Sequence, residues 1–370
     1  MKFLHLSDLH LGIRLHELSL LDDQRFMLEG ILNVCDTEKV DAVLICGDIY
    51  DKPIPPAEAI QLFDDFITKL SDRDITVLIT SGNHDSAERL SFGNAIMSSK
   101  GVYISPVYSG ELTKVSIKDC DIWMLPFIKP ANVRRYFDDK QIEDYTDAVK
   151  AALSVANIDK SKYNILMCHQ FVTDSSKGES VVGGLDNVDV SAFDDFDYVA
   201  MGHIHESYSV GRKLARYCGT LLCYDFRFCD LPRGVDVVVV ENGVTTVNKI
   251  PFKPLHDMIN LRGELADLTD PSKADKGYRD AYLHITLTDE DEAVDAVGRL
   301  RSLYPNMLCL DYDNTRTRAQ GFVLSGGETD EKSPFELFSE FFELRNGSPM
   351  SEEQEKEIAE IMNDVWGDYE

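Results

Sequence analysis

The sequence predicts an α/β (α+β) protein: a two-sheet sandwich flanked by helices over residues 1–252, a small α+β domain over 256–328, and a C-terminal helix-loop-helix over 333–370. Three observations predict it. Five apolar runs of strand length each end in polar side chains: residues 2–12, 42–48, 77–85, 165–169 and 198–205. A short apolar run bounded by turn signals reads as a buried strand. These runs alternate with amphipathic helical stretches, which is the pattern of βαβ units. Finally, 370 residues are too many for one ordinary core, and Pro251 and Pro254 bracket a linker after which the strand–helix pattern starts again.

Taken in order, the first run leads to a helix over 22–36, with Phe26, Ile31, Leu32 and Val34 at apolar positions. Pro55 and Pro56 open a second helix, whose apolar side is Ile60, Leu62, Phe63, Phe66, Ile67 and Leu70. A third helix is expected over 87–97, short strands near 102–104, 112–117 and 121–125, and a polar helix over 142–156. Residues 173–184 read as a Ser/Gly/Val loop. Residues 235–240 and 244–250 flank Glu241-Asn242-Gly243, a strong hairpin signal. In the second domain, strands are expected at 256–261, 282–287 and 307–312, with a helix over 290–303; the basic stretch 314–318 follows.

In the tail, Ser333, Pro334 and Glu336 form a capping box that starts a helix bearing Phe335, Phe338, Phe341 and Phe342. Ser351 with Gln354 caps a second helix with the stripe Ile358, Ile361, Met362, Val365 and Trp366. This hairpin either packs on its own chain or docks on a partner helix.

Composition narrows the class. The chain is 44% hydrophobic and 28% charged, as in a soluble globular protein, and no run is long enough to span a bilayer. The N-terminus opens on a strand and shows no signal-peptide pattern, so a cytoplasmic location is expected. The 8 cysteines show no C-x-x-C spacing, which favours free thiols over disulfides or a zinc ribbon. The net charge of -28 argues against unaided binding to nucleic acid. A nucleic-acid substrate therefore requires divalent metals, local basic patches or a partner protein.

The polar ends of the five runs carry the chemistry. Hydrolysis of a phosphodiester needs an activated water and neutralisation of the phosphate, and two divalent ions about 4 Å apart supply both. Asp8, His10 and His205 suit one ion; Asn83, His169 and His203 suit the other; Asp48 is the best bridge. Oxygen and imidazole ligands without thiolate suit manganese, iron or zinc. His84 follows a ligand directly and so faces the phosphate, as general acid or charge stabiliser. Asp85 either orients His84 or caps a helix with Glu88, and Asp51 either supports a ligand or makes a turn. His5 reads as a core residue, and His16, His256 and His284 as structural or surface residues.

At this point a resemblance is visible. Asp8-Leu-His10, Gly47-Asp48-x-x-Asp51, Gly82-Asn83-His84-Asp85, His169 and Gly202-His203-Ile204-His205 resemble the calcineurin-like metallophosphoesterases. More narrowly the chain is similar to the bacterial branch of the Mre-type double-strand-break repair nucleases, through residues 5–12, 48–51, 82–86, 183–185, 198–203 and 217–222. One departure is Asp225-Phe226-Arg227-Phe228, where that family usually has a Ser-Phe-Ser-Glu-like segment. The resemblance implies a manganese-dependent nuclease, acting as a 3′-to-5′ exonuclease on duplex ends and an endonuclease on single strands and hairpins. It implies roles in DNA repair, recombination and replication, a nucleoid-associated location, and a homodimer of nuclease subunits. It also implies a coiled-coil ATPase partner bound through residues 333–366, and a DNA-facing capping role for 256–328. The helices at 56–70 and 87–97 are candidates for the dimer contact.

Two rivals remain. A metallophosphatase or nucleotide phosphodiesterase would keep the metals and change the substrate, though such an enzyme needs neither a capping domain nor a partner-docking tail. A non-catalytic scaffold would have lost ligands or His84, and here the set is complete.

Overall fold

A computed structural model of the chain describes residues 1–177, 186–270, 276–291 and 295–315, with isolated positions from 317 to 362. The long apolar runs become strands covered on both faces. Every residue of Ala42–Cys46, Cys120–Met124 and Tyr198–Gly202 is buried. This is why these strands read as continuous rather than alternating hydrophobicity.

Two six-stranded sheets result. In the first, the order is Val244–Pro251, Gly234–Glu241, Lys2–Leu6, Ala42–Cys46, Thr76–Thr80 and Val102–Ile104. In the second it is Tyr208–Ser209, Ala215–Tyr217, Tyr198–Gly202, Tyr163–His169, Cys120–Met124 and Thr113–Ile117. The central strands of each sheet are parallel. Parallel pairing sends all their carboxyl ends to one edge, where the loops can carry a site.

Alternation along each strand sorts the core into layers. Phe3, Leu44, Leu78, Met124, Met167 and Tyr198 share the layer between the sheets. Leu4, Leu6, Val43 and Ile45 face outward onto the helices Leu21–Glu38 and Ala57–Ser71, meeting Met27, Ile31, Phe63 and Phe66. On the far side, Leu166, Cys168, Val199 and Met201 meet Ala148, Val149 and Ala152 of the helix Tyr145–Leu153. His5 lies in the central layer, fully buried, with Nδ1 3.1 Å from the Tyr198 hydroxyl and Nε2 3.2 Å from the Met201 carbonyl. The hairpin reading holds: Asn242 and Gly243 take φ of +50° and +75°, the backbone of a tight two-residue turn. All eight cysteines are free thiols.

Some local readings need correction. The helix expected over 87–97 is two short helices, Ala87–Leu90 and Asn94–Met97, broken at Gly93, whose φ of +76° no helix accepts. Ile60, placed on the apolar side of its helix, is 48% exposed. The polar helix is capped by the Asp144 side chain and starts at Tyr145 rather than 142.

The chain forms two compact units. One comprises Met1–Ile259 and Asp280–Tyr282, the other Asn260–Arg279 and Leu283–Glu370. A three-stranded sheet is ordered Met258–Gly263, Tyr282–Leu287, Met307–Tyr312, with the last two strands parallel, and the second unit holds its residues 260–263, 283–287 and 307–312. Leu283, Ile285, Leu287 and Leu300, the last from the helix Ala296–Leu303, are fully buried. In the tail, the Ser351–Gln354 capping box is formed: the Ser351 amide donates to Gln354 Oε1 at 2.9 Å, and the Gln354 amide to Ser351 Oγ at 3.3 Å. Ser333, Pro334, Glu336, Val365, Trp366, Arg316, Arg318 and residues 178–185 lie outside the described residues.

Candidate metal centre

The loops that leave the carboxyl ends of five parallel strands meet at one point. Lys2–Leu6 delivers Asp8 and His10, Ala42–Cys46 delivers Asp48, and Thr76–Thr80 delivers Asn83 and His84. Tyr163–His169 ends on His169 itself, and Tyr198–Gly202 is followed by His203 and His205. Asp8, His10, Asp48 and His203 all have positive φ, at +53°, +43°, +51° and +101°. For a residue with a side chain this backbone costs energy and clusters at functional sites.

The side chains converge tightly. His10 Nε2 lies 3.2 Å from His205 Nε2 and 3.7 Å from Asp48 Oδ2. His169 Nε2 lies 3.2 Å from Asp48 Oδ2, 3.1 Å from Asn83 Oδ1 and 4.0 Å from Asp8 Oδ1. Asn83 Oδ1 is also 3.0 Å from His203 Nδ1. Asp8, His10 and His205 form one cluster of possible ligand atoms, and Asp8, Asp48 and His169 another. Asp48 reaches both His10 and His169, as a bridge must; Asp8 also faces both sides, 4.0 Å from His205 Nε2 as well as from His169.

The donors fit cations. His169 Nδ1 is 2.8 Å from the Cys46 carbonyl, so this nitrogen carries a proton and Nε2 is turned to the site. A backbone carbonyl on the far nitrogen is the usual support of a metal-binding imidazole. Nε2 then faces a carboxylate oxygen and an amide oxygen, both acceptors, and His10 and His205 set two ring nitrogens against each other. One positive centre on each side satisfies these contacts.

The electrostatics agree. Burial lowers the pKa of His10 to about 3 and of His203 to about 4, so both are neutral and their lone pairs are free. Burial works equally against charge on His169, but Asp48 and Asp8 override it and carry its pKa up to about 9. Without a cation, a proton fills the place between His169 and the carboxylates; a metal would displace it. Burial raises Asp8 to about 7, whereas His169 and His10 hold Asp48 well below the usual carboxylate range against its own burial.

His84 is exposed at the rim. Its amide donates to Asp48 Oδ1 at 2.9 Å, and its Nδ1 lies 2.9 Å from the Asp51 carbonyl. The Asp51 main chain, not the Asp85 carboxylate, therefore sets the ring. Asp85 instead accepts from three backbone amides: Ile49 at 3.1 Å, Tyr50 at 3.0 Å and Gly82 at 2.9 Å. It is a clamp between the loops bearing Asp48 and Asn83. The cap of the short helix is Ser86, not Asp85.

Several supporting residues escaped the sequence reading. Gly47, Gly82 and Gly202 each precede a candidate ligand, and none has room for a Cβ. That atom would lie 2.2 Å from His169 Nδ1, 2.1 Å from Asp48 Oδ1 and 1.9 Å from the Cys46 carbonyl oxygen, respectively. The repeated Gly-ligand dipeptide was the available signal. Gln24 bonds the Leu9 and His10 carbonyls and the Gly12 amide, and the Tyr224 hydroxyl donates to the Leu9 carbonyl at 2.7 Å. Both lie in stretches with no motif, so the sequence carried no pointer to them.

Comparison with known proteins places the chain. Residues 1–207 match the calcineurin-like phosphoesterase family, and residues 254–346 match SbcD_C, the Type 5 capsule protein repressor C-terminal domain. A dimetal phosphatase from Danio rerio aligns over 69% of this chain and 98% of its own at 13% identity, with a TM-score of 0.42. Two curated relatives are each named as the SbcD component of the nuclease SbcCD. That of Staphylococcus saprophyticus is 31% identical over 98% of this chain and 98% of its own. That of Staphylococcus epidermidis is 32% identical over 84% of this chain and 85% of its own. The chain belongs to the calcineurin-like phosphoesterases and, within them, to the SbcD nuclease subunits. It is a metal-dependent hydrolase of nuclease type. Among the described residues no helix is long and apolar enough to cross a membrane.

Proposed function

We propose that the chain is the nuclease component of a DNA-processing complex and cuts phosphodiester bonds with two divalent ions, manganese by preference. It works as a 3′-to-5′ exonuclease on duplex ends and an endonuclease on single strands and hairpins, in the cytoplasm at the nucleoid. Its partner is the coiled-coil ATPase SbcC, held by the helix-loop-helix at 333–366, and two copies of each protein make a heterotetramer. Residues 256–328 form the DNA-facing cap. The observation that carries the reading is the convergence of ring nitrogens and side-chain oxygens around Asp48, 3.0–4.0 Å apart, a cradle that a pair of cations would fill. Phe92 and Ile96, in the 87–97 segment, are 85% and 78% exposed among the described residues, which supports the dimer.

Asp8, His10 and His205 would hold one ion, Asn83, His169 and His203 the other, and Asp48 would serve both. When bound, the ions supply charge neutralisation at the phosphate and an acidified water. The Cys46 carbonyl keeps His169 in one tautomer. The Asp85 clamp fixes the spacing of Asp48 and Asn83. With Nδ1–H of His84 given to the Asp51 carbonyl, Nε2 is the atom left to face the phosphate; in the imidazolium form it gives its proton to the leaving oxygen or steadies the charge there, ending as the neutral ring.

The test is manganese-dependent cleavage of labelled single-stranded and linear duplex DNA by the full chain, with and without the ATPase. His84→Ala and Asp48→Asn are run beside it. Wild-type cutting with both variants inactive, and two ions still bound by His84→Ala, meets the expectation. Cutting of small phosphodiesters alone, even with partner and ATP, refutes the DNA assignment and favours a small-nucleotide phosphodiesterase.

A further inference from the structure

A chain of net charge -28 must keep DNA near its metals, so any local break in the acidity beside the site matters. Residues 127–136, Phe-Ile-Lys-Pro-Ala-Asn-Val-Arg-Arg-Tyr, hold three basic residues and no acidic one. They leave the same sheet edge as the candidate ligands, after the strand Cys120–Met124. The segment is tied to the site at its start. The Phe127 amide donates to the Ser81 carbonyl at 2.9 Å, and the Phe127 ring stands edge-on to His169 with centroids 6.5 Å apart. Gln170, the residue after His169, donates to the Ile128 carbonyl at 3.2 Å. Lys129 follows, exposed, only two residues beyond the ring that touches His169.

The three cations differ in use. Arg134 is spent on the fold, donating to the Ile142 and Glu143 carbonyls. Lys129 and Arg135 pair with no carboxylate among the described residues, and both are exposed. Arg135 is nonetheless held in place. Its Nε donates to the Asn132 carbonyl at 3.2 Å, and its guanidinium lies over the Tyr136 ring, 5.5 Å from the centroid. Tyr136 is itself braced edge-on against Tyr108, with centroids 5.7 Å apart. An arginine so fixed presents its terminal nitrogens at little entropic cost, which suits a phosphate.

We infer that Lys129 and Arg135 form a backbone-phosphate contact that seats the DNA strand beside the metal centre, Tyr136 serving as the brace of Arg135. This rests on the nuclease reading and adds to it the residues that favour a polymer over a small diester. A dinucleotide-sized substrate engages only the metals and His84, whereas an oligonucleotide also places neighbouring phosphates on these two cations.

The experiment uses the full chain with manganese. It compares wild type, Lys129→Ala/Arg135→Ala and Arg135→Lys on a labelled single-stranded oligonucleotide and on bis(p-nitrophenyl) phosphate, across a salt series. For the double variant, the oligonucleotide KM should rise about tenfold, and the slope of log KM against log salt should fall by about 1.4, for two contacts at ~0.7 each. Its rate on the small diester should stay within twofold of wild type, which also reports correct folding. Arg135→Lys, keeping charge but not the stack on Tyr136, should fall between. An unchanged oligonucleotide KM and salt slope overturns the contact, as does an equal loss on both substrates. If wild type cleaves the small diester and no oligonucleotide, the nuclease reading itself fails, a result separate from failure of the contact.

Discussion

Gly202→Ala should damage the metal centre without replacing a ligand. Gly202 pairs in register with His169, across the second sheet. A Cβ there would lie 1.9 Å from the Cys46 carbonyl oxygen, 2.7 Å from His169 Nδ1 and 2.8 Å from Ser7 Cβ. Ordinary contact needs about 3.4 Å or more, so backbone must move by over an ångström in a fully packed layer. The movement falls on the bond from His169 to the Cys46 carbonyl. Overpacking costs ~1–3 kcal/mol, and a buried polar group left unpaired adds ~1–3 kcal/mol. The two together, about 2–6 kcal/mol, correspond to a fall in Tm of roughly 3–12 °C, since each kcal/mol shifts Tm by only about 1.5–2 °C once some 250 residues or more unfold together. Loss of the carbonyl that orients a metal-binding imidazole weakens affinity about 10- to 100-fold.

The assay is thermal unfolding with and without manganese, beside calorimetric titration of the metal. Gly30→Ala is the control. It lies within the helix Leu21–Glu38, and its Cβ would meet nothing closer than 3.9 Å, so it should be neutral or stabilise by ~1 kcal/mol. If Gly202→Ala melts within 2 °C of wild type and binds manganese as tightly, the account of the motif glycines is wrong.

Other outcomes follow from the same geometry. Asp85→Ala strands three backbone amides and should cost about 2–4 kcal/mol, with activity and Tm falling together; a lost catalytic rate at unchanged Tm would contradict the clamp. Gln24→Ala should loosen the loop of residues 9–12 and weaken metal binding at the His10 side severalfold in the same titration. Chelation should lower Tm, and excess manganese should raise it by an amount that grows with the logarithm of free metal. For Asp121, burial opposes ionisation, but Lys162, Ser116 and Lys114 outweigh it and hold the pKa below 3.8. A depressed carboxylate pKa stabilises above the unfolded value of ~3.9 and loses that contribution as pH falls through the folded value. Wild type should therefore lose more Tm than Asp121→Asn between pH 5 and pH 3, and equal slopes would refute the assignment.

The strands that build the site were legible because burial on both faces makes the whole run apolar, and because each run stops at a ligand type. The pairing of the first strand with the closing hairpin was not, since Lys2–Leu6 bonding to Gly234–Glu241 depends on partners more than two hundred residues apart. The site residues were legible as types in order; their support was not. Asp85 has the spacing of a helix cap to Glu88, and only the fold shows its oxygens turned to Ile49, Tyr50 and Gly82. Gly93 sits in a periodic stretch that spacing alone assigns to one helix, and its left-handed backbone divides it. Ile60 fits the apolar stripe by spacing yet falls at its edge, 48% exposed, since a stripe does not state its own width.

The closing of the first sheet bears on how the protein is made. Lys2–Leu6 lies between Ala42–Cys46, which follows within some forty residues, and Gly234–Glu241, which pairs Val239 with Lys2. At ~5–20 residues per second, the ribosome leaves that flank of the first strand open for roughly 10–40 s. The exposed flank is a row of unpaired amides beside Phe3 and Leu4, an aggregation hazard until its partner emerges. Chains cut short before residue 234 would carry every candidate ligand and still lack this cover, and should gather in the insoluble fraction.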